Sequence, residues 1–203
     1  MADVKPPPTY RQLQAQETRR RIAASARRLF AENGYSTTAI GAIAQDVGVA
    51  ARTVYATFGT KKAILGAICQ TWLEESLTIA LIGEAVSEAN PRRALELLAQ
   101  ASRQQWESGG DIVSMLQTAA ATDGEIAAML QEWGGDRQRA MSGVIRRIGG
   151  ELRPGLDQKS AGAIIRALTH PGLYQSLVHD TGWSPDRFQR WLADTMIMQF
   201  LKE

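Results

Sequence analysis

The sequence predicts an all-α protein, and three observations carry the prediction. Segments with apolar residues at helical spacing fill the chain, none alternates like a strand, and glycines and prolines separate them. At 203 residues and 44% hydrophobic content, the chain can bury one large helical core or two modest ones. Between Thr38 and Lys62, the run TAIGAIAQDVGVAARTVYATFGTKK has the spacing of a helix-turn-helix.

Residues 1–16 contain Pro6, Pro7 and Pro8 among many polar side chains, so they are expected to form a mobile N-terminal arm rather than a packed helix. Such an arm could offer Lys5 and Arg11 to a DNA groove; a frayed terminus with diffuse electrostatics is the simpler reading. A first helix is expected from about Glu17 to Asn33, stopped by Gly34. Its Arg19, Arg20, Arg21, Arg27 and Arg28 are partly a solvated face, but those near the helix start oppose its dipole unless an anion is present.

Within the helix-turn-helix, Ile40 opens a short helix whose Ile43, Ala44 and Val47 share one face. Ala44 is small where two helices must cross, and Gly48 permits the positive φ of a tight turn. Val49, Val54 and Phe58 face back toward that helix. The second helix then turns Ala51, Arg52, Thr53, Tyr55, Ala56 and Thr57 outward, side chains that are short or able to hydrogen-bond to base edges and phosphates. Thr38 is placed to be the N-cap of the first short helix.

Two amphipathic helices around a glycine also occur in proteins that never meet nucleic acid, so spacing alone does not decide. Charge favours DNA. Residues 1–62 carry ten Lys or Arg against four acids, about +6, whereas the remainder carries thirteen against seventeen, about −4. A basic head on an acidic body fits a polyanion at the N-terminal end.

From Arg20 to Ile68 the chain resembles the DNA-binding domain of the tetracycline-repressor (TetR) family. The match runs through Ile22, Ala26, Leu29 and Phe30, the turn AENGYSTT, the helix-turn-helix and the ending TVYATFGTKKAIL. It departs at Ala50, where similar sequences usually place Ser or another N-cap; the missing cap leaves helix-start amides less satisfied, by about 1 kcal/mol. The resemblance implies a TetR-like architecture: an N-terminal three-helix DNA-binding domain over residues 17–62 and a helical ligand-binding and dimerisation domain over 63–203.

The body reads as helices on its own terms. A long helix is expected from Lys61 to about Val86, with later breaks at Asn90-Pro91, Gly109-Gly110, Asp123-Gly124, Gly149-Gly150 with Pro154-Gly155, Pro171-Gly172 and Gly182 to Pro185. Pro91 opens one helix, Asp111 caps another, and Ser184-Pro185-Asp186 starts the last; Gly134-Gly135 breaks or bends the stretch from Glu125 to Ile148. In the final helix, Phe188, Trp191, Leu192, Thr195, Met196 and Gln199 lie at helical spacing, and Ile197, Phe200 and Leu201 widen the apolar surface beyond one stripe. Such a helix usually packs against two things. The run LYQSLVHDTGWSPDRFQRWLADTM also looks like the C-terminal pattern of many TetR-like regulators, which implies a homodimer built on a bundle of C-terminal helices; completing a monomer's core is the plainer alternative.

An enzyme finds little support. His170 and His179 are the only histidines and have no metal-ligand spacing, the glycine-rich spots lack a phosphate-loop pattern, and Glu74-Glu75 fall on different helix faces. No cofactor or metal is expected. Cys69, among Ile64, Leu65, Ile68 and Leu73, reads as a small core residue. No apolar run approaches a membrane span and no signal segment opens the chain, so the cytoplasm is the expected compartment.

If the dimer holds, two recognition helices enter successive major grooves about 34 to 36 Å apart, and the operator in double-stranded DNA is roughly palindromic. Thr38, Ala51, Arg52, Thr53, Tyr55, Thr57 and Lys61 are the candidate DNA contacts. Arg52, the long donor on the outward face, is the candidate for a guanine; the resemblance implies phosphate positions for Thr38, Tyr55 and Thr57, and Lys61 adds charge at a helix start. Family analogy further implies a pocket for a small apolar or amphipathic inducer that changes the separation of the recognition helices. Trp72, Trp106, Met115, Met129, Trp133 and Met141 are the candidate lining, with Arg103 and His170 as polar anchors. The competing reading is a helical dimer that binds small molecules or proteins without specific DNA recognition, since Ala50, Ala51 and Ala56 thin out the outward face.

Overall fold

A computed structural model describes residues 9–202, and these are helical almost throughout. The N-terminal head comprises α1 (Tyr10–Asn33), α2 (Ile40–Val47), α3 (Ala51–Phe58) and the start of α4 (Lys61–Glu75). The body continues with α5 (Thr78–Ser87), α6 (Pro91–Ala120), α7 (Gly124–Arg147), α8 (Gln158–Leu168), a short α9 (Pro171–Tyr174) running into a π-helical stretch (Gln175–Asp180), and α10 (Pro185–Phe200). Pro91 and Ser184 begin their helices as the sequence predicts, and Asp123, expected only as part of a break, caps α7: Asn90, Asp123 and Ser184 accept helix-start amides through their side chains. Among the described residues no helix is long and apolar enough to cross a membrane.

Four expectations are corrected. The first helix begins at Tyr10, not near Glu17, because Thr9 and Gln12 form a capping box. The Thr9 hydroxyl accepts the Gln12 amide at 3.4 Å while Gln12 Oε1 accepts the Thr9 amide at 2.7 Å. The expected arm is therefore helical from Tyr10, and its residues 1–8, Lys5 among them, lie outside the described residues. Arg19 to Arg21 consequently sit well inside α1, where the dipole argument no longer applies.

The helix expected from Lys61 to Val86 is two helices. Ser76 turns extended (φ −76°, ψ 132°) and its hydroxyl accepts the Thr78 amide at 3.2 Å, a local bond that competes with the helical ladder. Conversely, Gly109-Gly110 does not break α6, and Asp111 lies inside that helix instead of capping one. A Cβ at Gly109 would collide with the Trp72 indole, so this glycine serves a close α4–α6 crossing. Gly134-Gly135 is likewise carried through inside α7.

Two apolar clusters form the core, and α6 belongs to both. Leu95 and Leu98, in its first half, and Trp106, at its middle, pack with Ile145 of α7, Ile165 of α8 and Phe188 and Phe200 of α10. Ile112, Met115 and Leu116, in its second half, join Ile22 and Phe30 of α1, Ile43 of α2, Val54 of α3 and Ile64 and Trp72 of α4. The head's core therefore does not close at residue 62. At about 1.5 Å per residue, α6 spans about 45 Å and links the two ends of the molecule.

Candidate nucleic-acid interface and ligand cleft

The turn between α2 and α3 is built as the sequence dictates. Gly48 adopts φ 75°, ψ 35°, a left-handed conformation that only glycine takes without strain, and the Val49 amide donates to the Ala44 carbonyl at 2.9 Å. Ile43, Ala44, Val47, Val54 and Phe58 are all buried beneath it. Ala50 precedes α3 in extended conformation with no side-chain cap, and Ala39 does the same for α2; by contrast α4, α6, α7, α8 and α10 all carry side-chain caps. Among the described residues, the amides opening the two helix-turn-helix helices thus lack a side-chain acceptor.

On α3, Ala51, Arg52, Tyr55 and Ala56 are exposed, Thr53 and Thr57 half-buried. Tyr55 is 54% exposed and is not a core residue. The Thr57 hydroxyl donates to the Thr53 carbonyl at 2.7 Å, within the helix.

Two candidate contacts sit differently from expectation. Thr38 is buried at 4% exposure, and its hydroxyl lies 2.8 Å from the Gly34 carbonyl and 3.1 Å from that of Leu29. It ties the α1–α2 turn together; the N-cap of α2 is Ala39, not Thr38. Lys61 turns its ammonium inward, donating to the carbonyls of Tyr35, Ser36 and Thr38 at 2.8, 3.1 and 3.2 Å and lying 4.7 Å from the Tyr35 ring centroid. Partial burial draws its pKa below the ordinary lysine value. An ammonium has three donors, and all three have protein acceptors.

The arginines of α1 are similarly committed. Arg19 donates to the Thr57 carbonyl at 3.0 Å and stacks 4.2 Å from the Phe58 ring, and Arg21 donates to the Val47 carbonyl at 2.8 Å. Both meet helix C-terminal carbonyls, where the dipole is negative. Arg28 pairs with Asp46, whose carboxylate also accepts the Ser25 hydroxyl at 2.6 Å; the Ser25 bond and then the Arg28 bond hold Asp46 below the usual carboxylate range. Arg27 reaches across to Asp111 of α6. Lys62 pairs with Glu125 of α7. Much of the basic charge counted in the head is thus spent on holding it together, whereas Arg11, Arg20 and Arg52 are exposed.

In the body, a half-open cleft of about 830 Å³ lies between α6 and the α9 region, walled by Trp106, Val113, His170, Pro171, Tyr174 and His179 among others. Trp106 and His170 are the two expected lining residues found there. Met115 lines a separate cavity of about 190 Å³ beside Phe30 and Tyr35. Trp72 is committed to the head, packed on Gly109 with its indole N–H on Ser108 Oγ at 3.0 Å. Met129 and Trp133 pack against the same head cluster, and Met141 is buried beneath the Thr169 hydroxyl. Arg103 pairs with Glu107 and Asp186 instead of pointing into the cleft unpartnered. Tyr174 and Val113 of the wall were not anticipated, because α6 and α9 meet only through the tertiary fold. No group of three or more potential metal ligands occurs among the described residues.

Comparison with known proteins agrees with this geometry. The sequence pattern of the bacterial regulatory proteins of the tetR family matches residues 22–68. The chain is similar in fold to a Saccharomonospora viridis protein solved with choline, at TM-score 0.73 and 23% identity over 93% of this chain and 100% of that one. NalD of Pseudomonas aeruginosa, the secondary repressor of the MexAB-OprM multidrug efflux pump, gives TM-score 0.72 and 21% identity over 94% and 99%. PfmR of Thermus thermophilus, a TetR-family transcriptional regulator, gives 0.68 and 21% over 97% and 99%. No curated protein matches the sequence. Residues 22–68 thus match the sequence pattern of the bacterial regulatory proteins of the tetR family, and the fold of these solved structures extends across nearly the whole chain.

Proposed function

We propose that this chain is a dimeric repressor that reads a palindromic operator through α3 and is released from it by a small molecule held in the α6–α9 cleft. The observation that carries the reading is the exposed face of α3: Arg52 stands outward, without a hydrogen bond among the described residues, on a helix whose N-cap residue offers no side-chain acceptor. Arg52 supplies the base contact, most naturally bidentate to a guanine, and Thr53 lies one residue on, within reach of a base edge or methyl group. Ala51 lets the backbone approach the groove, and Tyr55 with Thr57 faces the phosphates. Thr38 and Lys61 position this surface from inside; we do not assign them to DNA. The division of labour remains a head for DNA and a body for effector and partner subunit, joined by α6. A second subunit on the C-terminal helices would cover Met198 of α10, which is 74% exposed.

The cleft supports the release step because α6 forms its wall and also grips the head. Asp111 lies on that wall and holds Arg27 of α1. An occupant that shifts α6 therefore acts directly on the helix that carries the head.

The test is in vitro selection from a random duplex library, followed by anisotropy titration of the recovered sequence at two salt concentrations. Recovery of one palindrome, bound by a dimer far more tightly than random duplex, is the expected outcome. Binding that vanishes at moderate salt with no sequence recovered would overturn the reading in favour of a helical dimer without sequence-specific DNA recognition.

A further inference from the structure

Tyr174 of α9 is a buried residue with an idle hydroxyl. It is 3% exposed, with its ring edge-on to Phe188 of α10 (centroids 4.9 Å) and to His179 (5.7 Å), which the π-helical stretch brings round five residues later. Among the described residues its Oη makes no hydrogen bond, yet Ser102 Oγ is the one fully enclosed side-chain polar atom left without a partner. The Tyr174 hydroxyl therefore meets open space, and the open space that Tyr174 lines is the cleft.

The charge on that cleft is negative. Among the described residues no lysine or arginine lines it, whereas Glu107 and Asp111 do. The two carboxylates are not equally engaged. Both Asp111 oxygens are taken by Arg27. Glu107 accepts Arg103 Nε at 2.9 Å through Oε2 alone, and its Oε1 has no partner among the described residues. Arg103 also answers Asp186, so one arginine faces two acids and one negative charge is left unmatched. Burial first and Glu107 second hold the Tyr174 hydroxyl above the ordinary tyrosine range, and Arg103 opposes them less. The hydroxyl thus sits in the field of Glu107 rather than of its arginine.

We infer that the cleft takes a small amphipathic amine, its protonated primary ammonium held by Glu107 Oε1 and the Tyr174 hydroxyl. The inference rests on reading the cleft as the effector site and names the chemistry of its occupant. An ammonium brings three N–H donors and no acceptor, and a free carboxylate oxygen beside a hydroxyl able to accept is matched to it. Trp106, Val113 and Pro171 supply apolar surface for the remainder of the molecule. A carboxylate in the same place meets Glu107 and Asp111 with no lysine or arginine on the wall to offset them. An uncharged alcohol leaves the unmatched charge unanswered.

The experiment titrates the full chain by calorimetry at neutral pH, where an alkylammonium is charged as a lysine side chain is. The probes are octylamine, octanol, octanoate and octyltrimethylammonium, each below its micelle-forming concentration, on the wild type, Glu107→Gln and Tyr174→Phe. Octylamine is expected to bind at least about tenfold more tightly than each of the others, the ratio a charge-assisted hydrogen bond supplies. Glu107→Gln should lose that advantage over octanol and Tyr174→Phe part of it, while unchanged octanol binding and thermal melts show that both have folded. Arg103 keeps Asp186 as a partner in Glu107→Gln, so no cation is orphaned. Equal binding of octylamine and octanol, tighter binding of octanoate, octyltrimethylammonium bound as tightly as octylamine, no binding by any, or an advantage that survives in Glu107→Gln would overturn the inference. Operator release by octylamine is measured separately. Selective octylamine binding without release supports the amine site and counts against the effector reading alone.

Discussion

Arg27 of α1 grips Asp111 of α6 with two parallel hydrogen bonds, both 2.7 Å, and its Nη2 also reaches the Ser108 carbonyl at 2.7 Å. This fork joins the first helix of the head to the helix that walls the cleft. The side chains are 38% and 36% exposed, so solvent screening limits what the pair adds to stability. A double-mutant cycle of Arg27→Ala and Asp111→Ala, followed by urea unfolding, is expected to give a coupling energy of about 1 kcal/mol or less. Its larger effect is on communication: either variant should bind operator but respond less to effector, as read by anisotropy with and without ligand. A full effector response in both variants would remove the pair from the transmission route.

Gly109 and Gly110 are neighbours with opposite roles. A Cβ at Gly109 meets the Trp72 indole, whereas one at Gly110 meets nothing within 4 Å. Gly109→Ala should cost about 1–3 kcal/mol through overpacking, and Gly110→Ala should gain up to about 1 kcal/mol from helix propensity. Chemical denaturation of the two variants gives the sign directly.

Arg52 and Lys61 should separate in the same way. Arg52→Ala is expected to cost about 1–3 kcal/mol in operator affinity and to relax preference at one base position, with stability unchanged. Lys61→Met should instead lower unfolding stability by about 1–2 kcal/mol, since three carbonyls lose their donor. Competition titrations with single-base operator variants, alongside urea melts, check both; a normal melt for Lys61→Met would return that residue to the DNA face.

Cys69 is fully buried, and burial pushes its thiol up to about 12. The folded protein therefore holds the proton more tightly than the unfolded chain, whose thiol titrates near about 8.5. The thiol's contribution to stability is present below that value and is lost as pH rises toward about 12. Ellman's reagent at mildly alkaline pH should leave the native thiol unmodified and react on denaturation. Rapid native labelling would contradict this.

The sequence carried the head well because its determinants are local. Ile43, Ala44, Gly48 and Val54 set one turn by steric rules that act within a few residues, and all four sit as that pattern requires. Helix starts marked by Asn90-Pro91 and Ser184-Pro185 were readable for the same reason. Thr9-x-x-Gln12 is equally local, but three prolines stand just before the capping box, and prolines oppose a helix through their own positions without preventing one from starting after them. Gly109 misled because a glycine pair reads as a break, whereas its meaning lies in a tryptophan far back in the chain. Lys61 was credited to DNA because a sequence shows charge but not the carbonyls that fold against it. The cleft escaped for the same reason, being made where α6 meets α9.

Sharing α6 between both cores has a consequence for how the protein comes apart. A fragment ending near residue 62 would lack Ile64, Leu65 and Trp72 as well as Ile112 and Leu116, and would expose the underside of Ile22 and Phe30 to water. The reading head is therefore not an autonomous folding unit. Heat or denaturant should dissolve both ends of the molecule in a single cooperative transition, with no stable detached head along the way.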